Sequence, residues 1–237
     1  MQVLYEDNHL IVVNKAAGEI VQGDKTGDAP LSDMVKAYIK ERYGKPGEVF
    51  LGVVHRLDRP VSGIVVFART SKALSRLNAL FANHTSMPNA RCSIPNAESV
   101  RKTYWAIVAD RPAKPEGTLV HYLTRNEKNN KATAHEREVP HSKKAVLDYR
   151  LVASSERYHL LEITLHTGRH HQIRCQLAKI GCPIKGDLKY GAPRSNTDGS
   201  ISLHARSIKL EHPVRHTPLT VTAPVPDDTL WQYFASY

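Results

Sequence analysis

Cysteine is scarce in this sequence: three residues in 237, Cys92, Cys175 and Cys182, too few and too unevenly placed for a disulfide framework. No C-x-x-C pair or second ligand pair accompanies them, so they read as reduced thiols and not as a zinc site. No apolar run approaches the ~20 residues that span a bilayer, so no membrane association is expected. The start, Met1-Gln2-Val3-Leu4-Tyr5-Glu6-Asp7, lacks a basic stretch followed by an apolar one, which argues against a secretion signal and for a cytoplasmic protein. Acidic residues are short as well: 23 Asp and Glu stand against 33 Lys and Arg, a formal charge of +10. That excess suits a polyanionic partner, nucleic acid being the commonest, although a generic basic surface would carry it too. There is no internal repeat and no linker. With 41% hydrophobic residues the chain can bury one sizeable core, and one domain over residues 1–237, working as a monomer, is expected.

Val3–Tyr5 and His9–Val13, around Glu6-Asp7-Asn8, predict a strand pair. Lys15 follows at the strand end; it could face phosphate, but a solvated lysine is the simpler expectation. Leu31, Met34, Val35, Tyr38 and Ile39 recur at helical spacing, and Gly44-Lys45-Pro46-Gly47 closes that helix. Phe50–Val54 and Ile64–Phe67 read as strands. Ser71 can cap a helix carrying Leu74, Leu77, Leu80 and Phe81. From His84 to Arg101 the pattern dissolves into Ser, Asn and Pro, which predicts a flexible loop. Lys102–Val108 resumes as a strand with Tyr104, Ala106 and Val108 on one face.

The stretch from Thr124 to Lys144 is polar and without periodicity, so an exposed hairpin or arm is expected; its lysines, Lys143 and Lys144 among them, either grip phosphates or are merely solvated. Ala145–Val152 and Tyr158–His166 alternate as a hairpin. A helix from His170 to Ile180 ends at Gly181. Strands at Ile201–Leu210 and Leu219–Ala223 precede a short helix led by Asp227-Asp228. Strands and helices are interspersed without a repeating βα unit, so the class is α+β with a largely antiparallel mixed sheet.

Two stretches stand out chemically. In His55-Arg56-Leu57-Asp58-Arg59-Pro60, followed by Ser62-Gly63 and the apolar Ile64–Phe67, an acid lies between two arginines on a turn before a buried strand. Taken alone, Asp58 reads most readily as part of a surface salt-bridge cluster. The alternative is a nucleophile or base kept ionised by cationic neighbours. More than a hundred residues on stands Gly168-Arg169-His170-His171-Gln172-Ile173-Arg174, then Gly186-Asp187 and Tyr190-Gly191.

Together these motifs resemble the RluA family of RNA pseudouridine synthases, and the resemblance runs from about Val3 to Pro226. It departs in two places: Ala16 replaces a usual proline, and His170 a usual Ser or Thr. The resemblance implies a sheet with flanking helices and a central cleft, without the small N-terminal RNA-binding domain many members carry. It implies isomerisation of uridine to pseudouridine in structured ribosomal or transfer RNA, with one essential aspartate and no metal or organic cofactor. Asp58 matches that aspartate, Arg174 its basic partner and Tyr104 the tyrosine that stacks on uracil. Arg56 matches an arginine that fills the gap left by the flipped nucleotide, and Arg169 and His171 are expected as RNA backbone contacts at a helix start. His166, His170 and His171 invite a metal reading, but a Thr-Gly-Arg turn interrupts their spacing, so no metal is expected. Two other classes compete. A catalytically silent RNA-binding protein would have no need of Asp58, Tyr104 and Arg174 together. A glycosidase would need a second acid, for which Glu162 is the nearest candidate.

Overall fold

The computed structural model describes residues 1–24, 27–86 and 100–237. Its strands are β1 (Gln2–Glu6), β2 (Leu10–Lys15), β3 (Gly52–Val53), β4 (Ser62–Ala68), β5 (Arg101–Val108), β6 (Glu116–Asn126), β7 (Lys131–His135), β8 (Lys143–Ser154), β9 (His159–Leu165), β10 (Leu203–Glu211) and β11 (Pro218–Thr222). The helices are α1 (Leu31–Arg42), α2 (Ser71–Ser86), α3 (Gln172–Lys179) and α4 (Thr229–Ala235). The strands form one sheet in the order β1-β2-β4-β10-β5-β9-β8-β6-β7, with β11 on β10 and β3 on β4. Among the described residues the β4–β10 pairing is parallel and the others are antiparallel, so the α+β class with a largely antiparallel mixed sheet holds.

Strand β4 reads as a continuous apolar run because both of its faces are covered. Ile64, Val66 and Ala68 join the large cluster that includes Ala73, Leu77 and Phe81 of α2. Val65 and Phe67 point the other way, onto Leu31, Val35 and Ile39 of α1. Full burial of each such side chain contributes roughly 1.5–3 kcal/mol, so the two helices clamp the strand that begins just after Asp58. Met34, expected on the apolar stripe of α1, is instead 39% exposed. The Thr70 hydroxyl, one residue before Ser71, accepts from the Ala73 N–H and caps α2.

Gly63 is more than a bend. Its φ is +112°, and a Cβ there would lie 2.4 Å from the Ala205 carbonyl oxygen. Only glycine lets β4 and β10 approach this closely, so Gly63→Ala would strain the backbone and force the parallel pair apart.

Two expectations need correction here. The segment 124–144 contains the expected hairpin, β6 and β7 pairing through Thr124–Thr133, but it is not simply exposed: Leu123, Ala132 and Ala134 pack on Cys175 of α3 and on Tyr190. The burial is carried by alanines, which give little periodic signal. Of the stretch from His84 to Arg101 expected as a loop, the part to Ser86 belongs to α2 and Arg101 to β5; residues 87–99 lie outside the described residues.

Candidate active site

The turn that carries Asp58 is fastened from three sides. Upstream, the His55 Nε2 accepts the Val66 N–H of β4 at 3.1 Å, and its ring stacks on Phe81. That bond requires an unprotonated Nε2, and burial, with Lys102 nearby, pushes His55 down to about 3. Downstream, the Val61 N–H donates to the Asp58 carbonyl, closing the Arg59-Pro60 turn. Beneath it, Lys15 is fully buried and donates to the carbonyls of Ala16, Arg59 and Val61 at 2.9, 3.1 and 2.7 Å. The solvated lysine expected from sequence is therefore wrong. A strand-end lysine gives no local sign that carbonyls converge on it from 44 and 46 residues away.

Asp58 is not held by its neighbouring arginines. Arg59 turns away to pair with Asp28, and Arg56 is exposed at the mouth of the pocket with no ion partner among the described residues. The cation that meets Asp58 is Arg174, 116 residues on, whose Nη1 donates to the Asp58 carboxylate at 3.1 Å. Arg174 is anchored behind by Asp187: Nε donates to Oδ2 at 2.6 Å and Nη2 to Oδ1 at 2.8 Å, a fork that fixes the guanidinium plane. Burial disfavours the Arg174 charge, but Asp187 first and Asp58 after it outweigh that, so Arg174 remains a cation.

His171 completes this cluster, largely buried but lining the pocket beside Asp58. It occupies the left-handed region (φ 51°) at the start of α3, which turns its ring inward until it is only 7% exposed. The Gln172 side chain pins the turn, accepting from the Arg169 N–H and the Thr167 hydroxyl and donating to the Val146 carbonyl. Arg174 Nη1 lies 3.0 Å from His171 Nε2, and a guanidinium only donates, so Nε2 is the acceptor. Nδ1 then carries the proton and donates to the Tyr190 hydroxyl at 2.9 Å, which also accepts the Ala132 N–H. Burial holds His171 well below the usual histidine range despite the Asp58 charge, so its 3.3 Å approach to Asp58 is a shared contact with Arg174 and not an ion pair. The RNA backbone contact expected of His171 is thus replaced by an internal position.

Tyr104 rises from β5 between Ala205 of β10 and Ile163 of β9. With Asp58, Arg56, Arg169 and Arg174 it lines a pocket of about 100 Å³. Burial, reinforced by the Asp58 charge, pushes the Tyr104 phenol far above its ordinary value, so it stays protonated at neutral pH. Of the remaining candidates, Arg169 lines this pocket and anchors its Nε on the Lys144 carbonyl. Lys143 is exposed, while Lys144 is half-buried on the opposite face of β8. Asp187 and Tyr190 were visible in the sequence only as motif letters without a role, and Lys15, weighed there as a phosphate contact or a solvated residue, instead holds the Asp58 turn.

A larger cavity, about 820 Å³, is lined by Asn14, Ser62, Lys185, His204 and Trp231 and contains neither Asp58, Tyr104 nor Arg174. Ligating atoms of Asp58, His170 and His171 lie within 4.8 Å of one another, close enough to suggest a metal. Arg174 Nη1 already stands 3.1 Å from Asp58 and 3.0 Å from His171, so a fixed cation takes the place an ion would need. His166 faces elsewhere, 2.5 Å from Asp148. Glu162 pairs with Arg150 at 3.0 Å and is not part of the pocket lining.

Comparison with known proteins agrees with this geometry. The RNA pseudouridylate synthase family matches residues 9–179. The chain is 31% identical over 241 residues to ribosomal large subunit pseudouridine synthase D of Xylella fastidiosa, covering 96% of this chain and 67% of that protein. It is 30% identical over 250 residues to tRNA pseudouridine synthase C of Vibrio cholerae, covering 98% and 93%. In fold it is similar to human RNA pseudouridylate synthase domain containing 4, with a TM-score of 0.76, 24% identity, and 99% and 92% of the two chains covered. With the family match extending over most of the chain and an aspartate, an arginine and a tyrosine converging in one pocket, this protein belongs to the RNA pseudouridylate synthase family, the RluA-type isomerases that convert uridine to pseudouridine in RNA.

Proposed function

We propose that this protein isomerises specific uridines in structured ribosomal or transfer RNA, with Asp58 as the essential group, Tyr104 and Arg174 as its catalytic partners, and no metal or organic cofactor. On this reading residues 1–237 work as one catalytic domain, a monomer acting in the cytoplasm. The observation that carries it is the Asp187–Arg174–Asp58 line, its first two members buried, which presents one oriented, partly exposed carboxylate beside an aromatic ring in a pocket of about 100 Å³.

Isomerisation requires the N1–C1′ bond to break, the uracil to turn, and C5 to bond to C1′ while its proton leaves. The target base must first leave its stack, because C1′ is out of reach inside a helix. Asp58 then serves in one of two ways. It attacks C1′ as the N1–C1′ electron pair departs with uracil, to be displaced later by C5, or it takes a 2′ proton to assist that departure. Arg174 fixes the carboxylate rotamer. Tyr104 offers its ring to the uracil. Its hydroxyl is a poor resting base, so stacking is its principal contribution and removal of the C5 proton requires a deprotonated form that substrate must favour. Arg56, unpaired at the mouth, is placed to fill the vacated stack, and Arg169 to meet backbone phosphate.

The test is tritium release from RNA labelled at uracil C5. Asp58→Asn keeps size and hydrogen bonding but removes the charge, so release should vanish while RNA binding persists. Release at the normal rate would remove Asp58 from the chemistry. Mapping pseudouridine in cellular RNA with and without the protein identifies the substrate.

A further inference from the structure

Beside the catalytic pocket lies a second one of about 260 Å³, formed where the β6–β7 hairpin and the end of the Val139–Ser142 turn meet the start of α3. Three cations, Arg125, Lys143 and Arg169, converge there with two imidazoles, His141 and His170, the latter held below the usual histidine range by burial. No acidic side chain lines it among the described residues. The Nε2 of His170 is buried without a hydrogen-bond partner among the described residues. Arg169 lines both pockets, and the His170 ring stacks on His171 at 3.8 Å, with its ligating nitrogen within 4.8 Å of an Asp58 oxygen. The second pocket therefore opens one residue's width from the carboxylate.

We infer that this pocket is a phosphate subsite, and that it takes the RNA phosphodiester directly adjoining the flipped uridine. Two guanidinium groups supply planar forks, Lys143 a point charge and the two imidazoles further N–H donors, a set suited to tetrahedral oxyanions. Its continuity with the base pocket selects a phosphate of the target strand: a nucleotide whose C1′ reaches Asp58 carries its own linkage across Arg169. His170 stands where the family usually has Ser or Thr and adds an imidazole in place of a smaller hydroxyl. The inference rests on the isomerase reading for the identity of the strand, but not for the anion site itself.

Two measurements decide it. Inorganic phosphate is titrated into the protein while the imidazole signals of His141 and His170 are followed by NMR, with acetate as the control. Both signals should move saturably with phosphate, and Lys143→Ala should shift saturation to roughly tenfold higher phosphate, the scale of one charged hydrogen bond. Unmoved signals, or equal response to acetate, overturn the subsite. In the second measurement an RNA carries one uncharged methylphosphonate linkage, either beside the target uridine or several nucleotides away. The adjoining linkage should weaken binding roughly tenfold and the distant one far less, with the difference erased in Lys143→Ala. Equal effects mean RNA does not use this pocket and overturn the assignment to the adjoining phosphodiester. If no RNA releases tritium, the isomerase reading falls, while the phosphate titration, which needs no turnover, still decides the anion site.

Discussion

Arg174 is tied to Asp187 by two hydrogen bonds, at 2.6 and 2.8 Å, and to Asp58 by one at 3.1 Å. The aim of the guanidinium is thus set from behind, by a carboxylate that is 1% exposed and does not line the pocket. Asp187→Asn replaces one acceptor with a donor facing Arg174 and should lower single-turnover tritium release by about ten- to a hundredfold, or about 1.4–2.7 kcal/mol of barrier. RNA affinity should change little. A matching loss of affinity, with the rate at saturation intact, would mean that Asp187 supports binding and not the aim of Arg174.

Lys15→Met should loosen the Asp58 turn. It leaves the carbonyls of Ala16, Arg59 and Val61 without their shared donor, a loss on the order of 2–4 kcal/mol if the turn does not open to water. Urea unfolding reads the stability, and tritium release should fall by more than stability alone explains. A variant with normal turnover would show that the turn holds its shape without the lysine.

Stability should fall in mild acid because several buried histidines are held neutral. Burial pushes His204 down to about 4 and His55 to about 3, and lowers His171 as well. The unfolded chain takes up these protons near pH 6.5 while the folded chain does not, so the unfolded state binds more protons and stability drops as pH falls from about 6.5 toward 4. His204, fully buried with its Nδ1 2.9 Å from the Ser62 hydroxyl, accounts for a loss on the order of 3 kcal/mol. Urea midpoints at about pH 7 and about pH 4.5 should differ clearly in the native protein and less in His204→Gln. Equal pH dependence in the two would exclude His204 as the source.

Arg56 and Lys143 should separate by salt. Lys143→Ala should flatten the slope of log affinity against log salt by roughly one unit, the signature of one phosphate contact, and Lys144→Ala by less because it lies outside the cationic pocket. Arg56→Ala should leave the slope nearly intact and slow the committed step about ten- to a hundredfold, since the extruded base loses its replacement in the stack. An Arg56 variant altered only in slope would make it an ordinary phosphate contact.

What was legible in the sequence followed from local pattern. The Leu31–Ile39 stripe announced itself because one-sided burial of a helix leaves a period, and the Ile64–Phe67 run because a strand covered on both faces is apolar throughout. Asp58, Tyr104 and Arg174 were legible as motif letters, and the structure brings all three into one pocket. The partners that hold them were not. Arg59 stands next to Asp58 in sequence yet pairs with Asp28, because the Arg59-Pro60 turn points it outward. His171 looked like a helix-start phosphate contact, and its left-handed backbone reverses that direction. The β6–β7 hairpin hid its burial behind Ala132 and Ala134, whose side chains are too small to mark a face.

The parallel pairing of β4 with β10 also sets a timetable. Ser62 and His204, neighbours across that pair, are 142 residues apart in the chain. At ribosomal rates of about 5–20 residues per second, the strand that carries the Asp58 turn waits on the order of 7–30 seconds for its partner to be made. During that interval one edge of β4 has no strand to pair with, and the arginine that aims the carboxylate is itself among the later residues to emerge. The Asp58 turn therefore cannot reach its final setting until β10, Leu203–Glu211, has left the ribosome.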